Sequence, residues 1–197
     1  MTAAILLAAG ESRRMGQPKA LLPWAGRPLI TYQIQQLAAA GVERIVVVLG
    51  HQAEAIRPHA QAPGVTAVVH AAYREGRASS LRAGAEAVPD GADPVLVLNV
   101  DQPRSAALLR TLIEAHRAAG ARITAPVYRG RRGHPPVLAG DLLPALRAVD
   151  EATQGLRAVL AARAAEVHEA PVDDPTACLD LNTPEEYREA LARYGAG

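Results

Sequence analysis

The sequence contains no phenylalanine, one tryptophan and five tyrosines among its 197 residues. The core must therefore be built from Leu, Val, Ile and Ala, and a stacking platform for single-stranded nucleic acid is not expected. A single cysteine, Cys178, excludes an intramolecular disulfide and a zinc site made of cysteines. Neither sign of charge dominates, since the chain has 21 Lys and Arg residues and 20 Asp and Glu residues. The resulting net charge of +1 favours neither a nucleic acid nor a membrane as partner.

Long apolar runs are also missing. The apolar residues 3–9 are too few to span a bilayer, and Glu11, Arg13 and Arg14 follow them closely. No basic segment precedes this run, as one does in a signal peptide, so we expect a buried strand in a cytoplasmic protein. The hydrophobic share of 49% and the charged share of 21% are those of an ordinary globular chain. Length and composition together predict one domain over residues 1–197.

Strand-like and helix-like segments alternate through the first part of the chain. The strand-like segments are short apolar runs without period-2 alternation, which is typical of strands buried on both faces. They cover residues 3–8, 44–49, 65–69 and 94–100. The helix-like segments cover residues 29–40, 53–59, 80–88 and 108–119, and Ser105 is a predicted N-cap of the last one. This alternation predicts an α/β fold with a mostly parallel sheet covered by helices on both faces.

The second half of the sequence is less regular. Strand-like residues 123–128 and 136–138 flank the turn-like segment 129–133, which predicts a small antiparallel hairpin or reversal at one sheet edge. Further helices are expected at residues 141–149 and 155–164, and a last strand at residues 167–172. A C-terminal helix is predicted at Pro184–Tyr194, with Thr183 as its N-cap and Pro184 in its first position.

The segment from Leu6 to Ile30, LLAAGESRRMGQPKALLPWAGRPLI, carries the strongest pattern in the chain. A strand-like run enters a turn of small residues, and two arginines, Gly16 and Lys19 follow. Small residues let a backbone approach a phosphate chain closely, and basic side chains nearby neutralise phosphate charge. The spacing matches neither GxxxxGK[ST] nor GxGxxG. From spacing alone, the segment is either a phosphate-binding loop or an ordinary surface loop.

The same segment resembles the pattern LAxGxSxRMGxxKxLLPxxGxPLI of the molybdopterin-nucleotide type of nucleotidyltransferases. The motifs GRASSLRAG, VLNVDQP, RGHPPVL and LDLNTPEEY follow in that family's order, so the resemblance spans about the whole chain. Within the family, the sequence most resembles the molybdenum cofactor cytidylyltransferases. The resemblance implies a Rossmann-like three-layer αβα sandwich of the nucleotide-diphospho-sugar transferase type. It also implies a reaction with a nucleoside triphosphate and Mg²⁺ in which an acceptor phosphate receives the nucleotidyl group and pyrophosphate is released.

The resemblance implies roles for individual residues. The main chain of residues 7–10 would hold base and ribose, Arg14 and Gly16 would face the triphosphate, and Lys19 would neutralise charge on the α-phosphate. The stretch GRASSLRAG reaches the nucleobase in the family, although Ser79 fits equally well as a helix N-cap. The implied nucleotide-binding residues are Leu7, Ala8, Ala9, Gly10, Arg14, Gly16, Lys19, Ser79, Ser80 and Gly84. The implied catalytic side chains are Lys19, Asp101 and Arg14.

Asp101 is the best candidate for a metal ligand. It follows a buried strand and so lies at the carboxyl edge of the sheet, where ligands bind in this fold class. A carboxylate there suits Mg²⁺, although Asp101 alone could instead be a turn or helix-capping residue. The resemblance places the second ligand in the segment Asp180–Asn182, and alternation puts Asp180 and Asn182 on one side of it. Asn182 could instead be only the turn before the last helix.

The acceptor side is assigned by resemblance to His134 and Arg157, and His134 could instead be only a structural loop residue. Cytidylyltransferases of this type carry a GDxGAR-like stretch near the acceptor pocket, and the matching residues 152–157 here are ATQGLR, with Thr153 in the acidic position. The difference concerns the acceptor rather than the nucleotide chemistry. The expected partners are a nucleoside triphosphate and a phosphorylated acceptor, molybdopterin in the family. Ala9 favours CTP over GTP.

Three alternatives remain open at this point. The chain could be a guanylyltransferase, or a nucleotidyltransferase that acts on a sugar or alditol phosphate. It could also be a non-catalytic accessory protein that binds the pterin cofactor or a molybdoenzyme. The presence of Lys19, Asp101 and Asn182 disfavours the accessory protein, because a pure binder would not need a metal-ligand pair.

Overall fold

The computed structural model describes residues 1–151 and 155–195. The strands are β1 (Ala3–Ala8), β2 (Pro23–Trp24), β3 (Arg27–Pro28), β4 (Arg44–Leu49), β5 (Val65–Val69), β6 (Val95–Asn99), β7 (Ile123–Tyr128), β8 (Arg131–Arg132), β9 (Val137–Leu138) and β10 (Val167–Pro171). The helices are α1 (Leu29–Ala39), α2 (Ala53–Ile56), α3 (Arg77–Ala87), α4 (Ala106–Ala119), α5 (Leu143–Arg147), α6 (Leu156–Ala161) and α7 (Pro184–Tyr194).

Within the described residues, eight strands form one sheet in the order β10-β7-β9-β6-β1-β4-β5, with β8 paired to β7. Strand β1 runs parallel to β4 and β6, β4 runs parallel to β5, and β7 runs parallel to β10. Strand β9 lies between β6 and β7 and runs antiparallel to both, and β8 runs antiparallel to β7. The predicted mostly parallel sheet with a small antiparallel part is confirmed.

Alternate side chains of the central strands enter two apolar cores, one on each face of the sheet. In β1, Ala4 and Leu6 belong to one core, and Ala3 and Ile5 belong to the other. Helices α1, α4 and α7 contribute to the first core, and α3, α5 and α6 contribute to the second. Burial on both faces explains why these strands show no alternation of polar and apolar residues. The three-layer αβα architecture is therefore confirmed.

Side-chain caps begin two of the helices where the sequence predicts them. Ser105 Oγ accepts a hydrogen bond of 3.2 Å from the Leu108 N–H at the start of α4. Thr183 and Glu186 form a reciprocal capping box before α7, in which Pro184 is the first residue. No helix in residues 1–151 and 155–195 is both long and apolar enough to cross a bilayer.

The prediction that Ser79 is an N-cap is wrong. Helix α3 begins three residues earlier than expected, at Arg77, with Gly76 as its N-cap. Gly76 has a φ of 127°, a backbone conformation that side-chain-bearing residues rarely adopt. The glycine therefore sets the start of the helix, and Ser79 lies inside its first turn.

The stability of the fold should depend on the protonation of His116 in α4. This side chain is buried, and its Nδ1 lies 3.0 Å from Thr124 Oγ1. Burial lowers the pKa of His116 below its usual 6.5, so the unfolded chain binds the proton more readily than the folded one. The stability associated with a neutral His116 is complete above that usual pKa and is lost as the pH falls towards the folded value.

We therefore expect His116→Asn to make the free energy of unfolding less sensitive to pH on the acid side of neutrality. Urea titrations at about pH 7.5 and about pH 5.5 measure the free energy of unfolding of both proteins. One proton bound only by the unfolded chain changes that free energy by about 1.4 kcal/mol per pH unit. If the original protein and His116→Asn lost the same amount of stability between the higher and the lower pH, the prediction would be wrong.

Candidate active site

A cavity of about 590 Å³ opens at the carboxyl ends of β1 and β6. Parallel pairing places Leu7 of β1 opposite Asn99 of β6, so the segments that follow these strands leave the sheet side by side. In open α/β sheets, ligands bind at this edge. The predicted site residues that line the cavity are Leu7, Ala8, Ala9, Gly10, Arg14, Lys19, Ser80, Asp101, His134, Asp180 and Asn182.

The loop after β1 is shaped by its own side chains. Ser12 adopts a left-handed backbone with φ 52°, and its Oγ accepts a hydrogen bond of 3.1 Å from the Lys19 N–H. Met15 is buried and holds the middle of the loop against the protein. Gly16 does not line the cavity. It ends the 3₁₀ turn with φ 67°, a backbone conformation that favours glycine, and this conformation explains why the motif has a glycine here. The loop thereby brings Lys19 back to the edge of the sheet.

Lys19 and Asp101 form the central contact of the cavity. Lys19 Nζ lies 2.7 Å from Asp101 Oδ2, and the two side chains are only 11% and 21% exposed. A pair this sheltered differs from a surface salt bridge, because removing one partner leaves the other charge without compensation where water is scarce. The pair supplies one positive and one negative group side by side, which suits the binding of phosphate and of a metal ion.

The segment before α7 presents two oxygen donors to the same cavity. Asp180 and Asn182 both line it, while Leu181 between them is fully buried, so the predicted alternation is present. The Leu181 N–H donates a hydrogen bond of 2.9 Å to the Asp101 main-chain oxygen, which ties this segment to the turn after β6. Gln102 adds a second tie, since its Nε2 donates to Asp180 Oδ1 at 2.7 Å.

Beneath this surface lies a buried polar layer that sequence reasoning did not predict. Arg104 is 1% exposed, and burial lowers the pKa of its guanidinium to about 10, so the group stays charged near neutral pH. Gln33 of α1 is fully buried; its Nε2 donates to the Gln102 main-chain oxygen at 2.6 Å and its Oε1 accepts from the Arg104 N–H at 3.3 Å.

His134 lines both the main cavity and a second one of about 280 Å³. Arg157 lines the second cavity, whose other residues are mostly apolar and include members of β7 and α6. Burial lowers the pKa of His134 although the charges of Asp180 and Asp101 raise it, so the imidazole is neutral near pH 7. Of the stretch 152–157, Ala152, Thr153 and Gln154 lie outside the described residues.

Two serines of α3 take different positions. Ser80 lines the main cavity, and its Oγ donates to the Gly76 main-chain oxygen at 3.3 Å. Ser79 points away from the cavity lining; its Oγ donates to the same oxygen at 2.9 Å and lies 3.0 Å from His70 Nε2. Ser79 therefore joins α3 to the end of β5 inside the protein.

Gly84 is not brought to the cavity. A Cβ at this position of α3 would lie 2.5 Å from Ile5 Cγ2 and 2.9 Å from Val48 Cγ2, so the glycine allows the helix to pack closely on β1 and β4. This packing accounts for the glycine without any contact to a ligand.

Some of the site residues were not predicted from the sequence, and the local sequence around them indicates their roles to different degrees. Gln33 could have been found, because it interrupts the apolar face that α1 buries. Gln102 stands inside the quoted motif VLNVDQP, yet nothing local indicates that it contacts Asp180. Arg104 and the cavity residue Tyr73 have no local signal, because their contacts come from distant segments.

The structure combines a mostly parallel sheet, a small-residue loop after its first strand and a lysine–carboxylate pair at the carboxyl edge. The chain belongs to the family of the MobA-like NTP transferase domain, which matches residues 4–168. The family predicted from the sequence is confirmed.

Two relatives illustrate the range of this family. Nicotine blue oxidoreductase of Paenarthrobacter nicotinovorans is 32% identical over 196 residues, which are 95% of each chain. The bifunctional protein GlmU of Pelobacter propionicus is 37% identical over 135 residues, which are 67% of this chain and 29% of GlmU. This chain thus spans less than a third of that GlmU.

Solved structures confirm the fold over nearly the whole chain. Rv0371c of Mycobacterium tuberculosis is similar with a TM-score of 0.81 and 28% identity, covering 98% of both chains. The complex of Rv0371c with manganese is similar with a TM-score of 0.76 and 26% identity, covering 97% of both chains.

Gly84→Ala should lower stability rather than nucleotide affinity. The added Cβ must push α3 away from Ile5 and Val48, and such overpacking costs about 1–3 kcal/mol. Urea denaturation measures the loss, and Glu86→Ala, at an exposed position of the same helix, is the control. Weaker nucleotide binding by a Gly84→Ala protein of unchanged stability would contradict the prediction.

Proposed function

We propose that the chain is a Mg²⁺-dependent nucleotidyltransferase that moves a nucleotidyl group, with CTP as the favoured donor, to an acceptor phosphate, with molybdopterin as the favoured acceptor. The observation that carries the proposal is the contact of 2.7 Å between Lys19 Nζ and Asp101 Oδ2, at the point where the loop after β1 meets Asp180 and Asn182. We propose further that residues 1–197 act as a single domain in the cytoplasm.

The reaction needs no nucleophile from the protein. An oxygen of the acceptor phosphate attacks the α-phosphorus, the bond from that phosphorus to the bridging oxygen breaks, and pyrophosphate leaves with the bonding electrons. The attacking phosphate is already ionised near pH 7, so no base has to remove a proton. The protein contributes position and charge neutralisation, which dominate phosphoryl-transfer catalysis. Lys19 and Arg14 are the cations that we assign to the triphosphate.

The donor set fits a magnesium ion. Asp101, Asp180 and Asn182 line the cavity and supply carboxylate and amide oxygens, which Mg²⁺ prefers. The described residues include no group of three or more His, Cys, Asp or Glu side chains that could hold a metal by themselves, so oxygens of the substrate would have to complete the coordination. Mg²⁺ typically takes one or two carboxylates from protein and further oxygens from substrate phosphates. When bound, the ion would neutralise negative charge on the reacting phosphates. The manganese complex of Rv0371c supports the use of a divalent cation.

We assign the nucleotide to the main cavity. Leu7, Ala8, Ala9 and Gly10 would contact base and ribose through their main chain, and Ser80 lies across the cavity. The small side chains leave room for this close approach. Ala9 is the residue that favours CTP over GTP, by resemblance to the cytidylyltransferases.

We assign the acceptor to the side where the two cavities meet. His134 lines both, which would let an acceptor phosphate reach the nucleotide while the remainder lies near Arg157. A neutral His134 would donate or accept one hydrogen bond there without adding charge. A molybdoenzyme that receives the finished cofactor is the macromolecular partner that this function would require.

A second candidate function rests on one relative. Nicotine blue oxidoreductase matches this chain over 95% of both lengths, so a reductase acting on a small organic molecule is the alternative. The name of that relative states a redox reaction. Such a reaction would need no acceptor phosphate and would release no pyrophosphate.

The first test is pyrophosphate release with Mg²⁺ and molybdopterin, using CTP, GTP, ATP and UTP in separate reactions. We expect release with CTP alone. Release with GTP alone would assign the chain to the guanylyltransferases, and release only with a sugar or alditol phosphate would change the acceptor. No release with any pair of triphosphate and acceptor would overturn the proposal.

Substitutions in the central ion pair test the assigned roles. We expect Asp101→Asn to lower kcat by about a hundredfold or more and to leave the fold intact. Lys19→Ala should lower kcat by more than it weakens nucleotide binding, because its charge matters most as the α-phosphate is attacked. The matched control is Asp90→Asn, which breaks an exposed pair with Arg147. Full activity of Asp101→Asn would refute the metal assignment.

A further inference from the structure

We propose that Arg104 is a positioning residue of this site. Its buried guanidinium holds the segment that carries Asp180 and Asn182, and the turn at His134, in place relative to Asp101. The inference rests on the proposed function, because it concerns the geometry of the metal-ligand set that the function requires.

The guanidinium of Arg104 bridges three separate parts of the chain. Its side-chain hydrogen bonds in the described structure all go to main-chain oxygens, at distances of 2.8–3.2 Å. The acceptors are Pro103 (3.0 Å), His134 (2.8 Å), Ala177 (3.2 Å) and Leu179 (3.0 Å). The planar guanidinium, with five donors in fixed directions, can hold carbonyls of several segments at once, which a lysine ammonium at the end of a flexible stem cannot do.

The contacts of Arg104 end next to the proposed metal ligands. Leu179, whose oxygen it binds, directly precedes Asp180. Leu181, which directly follows Asp180, donates a hydrogen bond from its main-chain N–H to the main-chain oxygen of Asp101. A change in the place of Leu179 would therefore alter the separation of the Asp180 and Asp101 carboxylates.

Burial makes this arrangement rigid. Arg104 is 1% exposed, and an ion so far from water is stable only if its donors are satisfied. Its main-chain N–H is also bound, by Gln33 Oε1 at 3.3 Å, which fixes the residue to α1. The hydrogen bonds of the guanidinium go to carbonyls rather than to the neighbouring carboxylates of Asp101 and Asp180. Asp101 pairs instead with Lys19, Asp180 accepts from Gln102, and both carboxylates line the cavity.

The effect of Arg104 is therefore expected on metal binding rather than on nucleotide binding, since its hydrogen bonds in the described structure go to other segments than the loop after β1. Outer partners that orient metal ligands typically change metal affinity about 10–100-fold when they are substituted. We expect Arg104→Lys and Arg104→Gln to weaken Mn²⁺ binding to the free protein by that factor. They should also raise the Mg²⁺ concentration for half-maximal pyrophosphate release, while KM for CTP at saturating Mg²⁺ stays close to the original value.

The experiment measures free Mn²⁺ by electron paramagnetic resonance for the full chain without nucleotide. Thermal unfolding of each variant shows whether it folds. The matched control is Arg110→Lys, because Arg110 also donates to a main-chain oxygen, that of Ala39 at 2.7 Å, but at the exposed surface of α4. A role confined to stability would lower the unfolding temperature and leave the Mn²⁺ affinity of the folded protein unchanged.

The outcomes separate this inference from the function on which it rests. If the original protein neither binds Mn²⁺ nor releases pyrophosphate, the proposed function fails. If the original protein does both, two results would refute the positioning role. One is a folded Arg104 variant that keeps the original Mn²⁺ affinity, and the other is a loss of Mn²⁺ affinity in Arg110→Lys as large as that in the Arg104 variants. Failure of both Arg104 variants to fold would also overturn it, because it would make Arg104 a residue required for folding.

Discussion

Parallel pairing of β1 with both β4 and β6 is the constraint on which the rest of this structure depends. Strands that run the same way end at the same edge, so the loop after β1 and the turn after β6 open beside each other. Lys19 and Asp101, separated by 82 residues in sequence, reach a distance of 2.7 Å for this reason. The apolar layers on the two faces pack against the strands, and the buried polar residues Gln102 and Arg104 lie at the edge where the chain turns after β6.

At that edge a connected set of buried polar side chains takes the place of apolar packing. Turns expose main-chain carbonyls that no helix or strand can satisfy, and an unpaired buried polar group costs about 1–3 kcal/mol. Gln33 and Arg104 satisfy several of these carbonyls, and Gln102 links the set to Asp180. The groups that remove this penalty thereby also determine where the candidate metal ligands lie, so stability and function share the same hydrogen bonds.

The two cavities are lined by different parts of the fold. The main cavity lies at the ends of the central strands β1 and β6. The second cavity depends on β7 and α6, at the less regular end of the fold. This chain matches the MobA-like NTP transferase domain and is also 32% identical to a protein named as an oxidoreductase. Fold and family alone therefore do not determine the activity. The acceptor side is where we expect differences in activity to arise.

Local patterns in the sequence determined the order of strands and helices, because burial on both faces and helix caps depend on neighbouring residues. Strands β1, β4, β5 and β7 and helix α7 begin and end where those patterns predicted. The motif of the first loop and the family also followed from the sequence. Only the tertiary structure decided that Gly84 serves packing, that Gln102 holds Asp180, and that Arg104 joins three segments. Such contacts link residues far apart in sequence, and no local periodicity records which distant segments will meet.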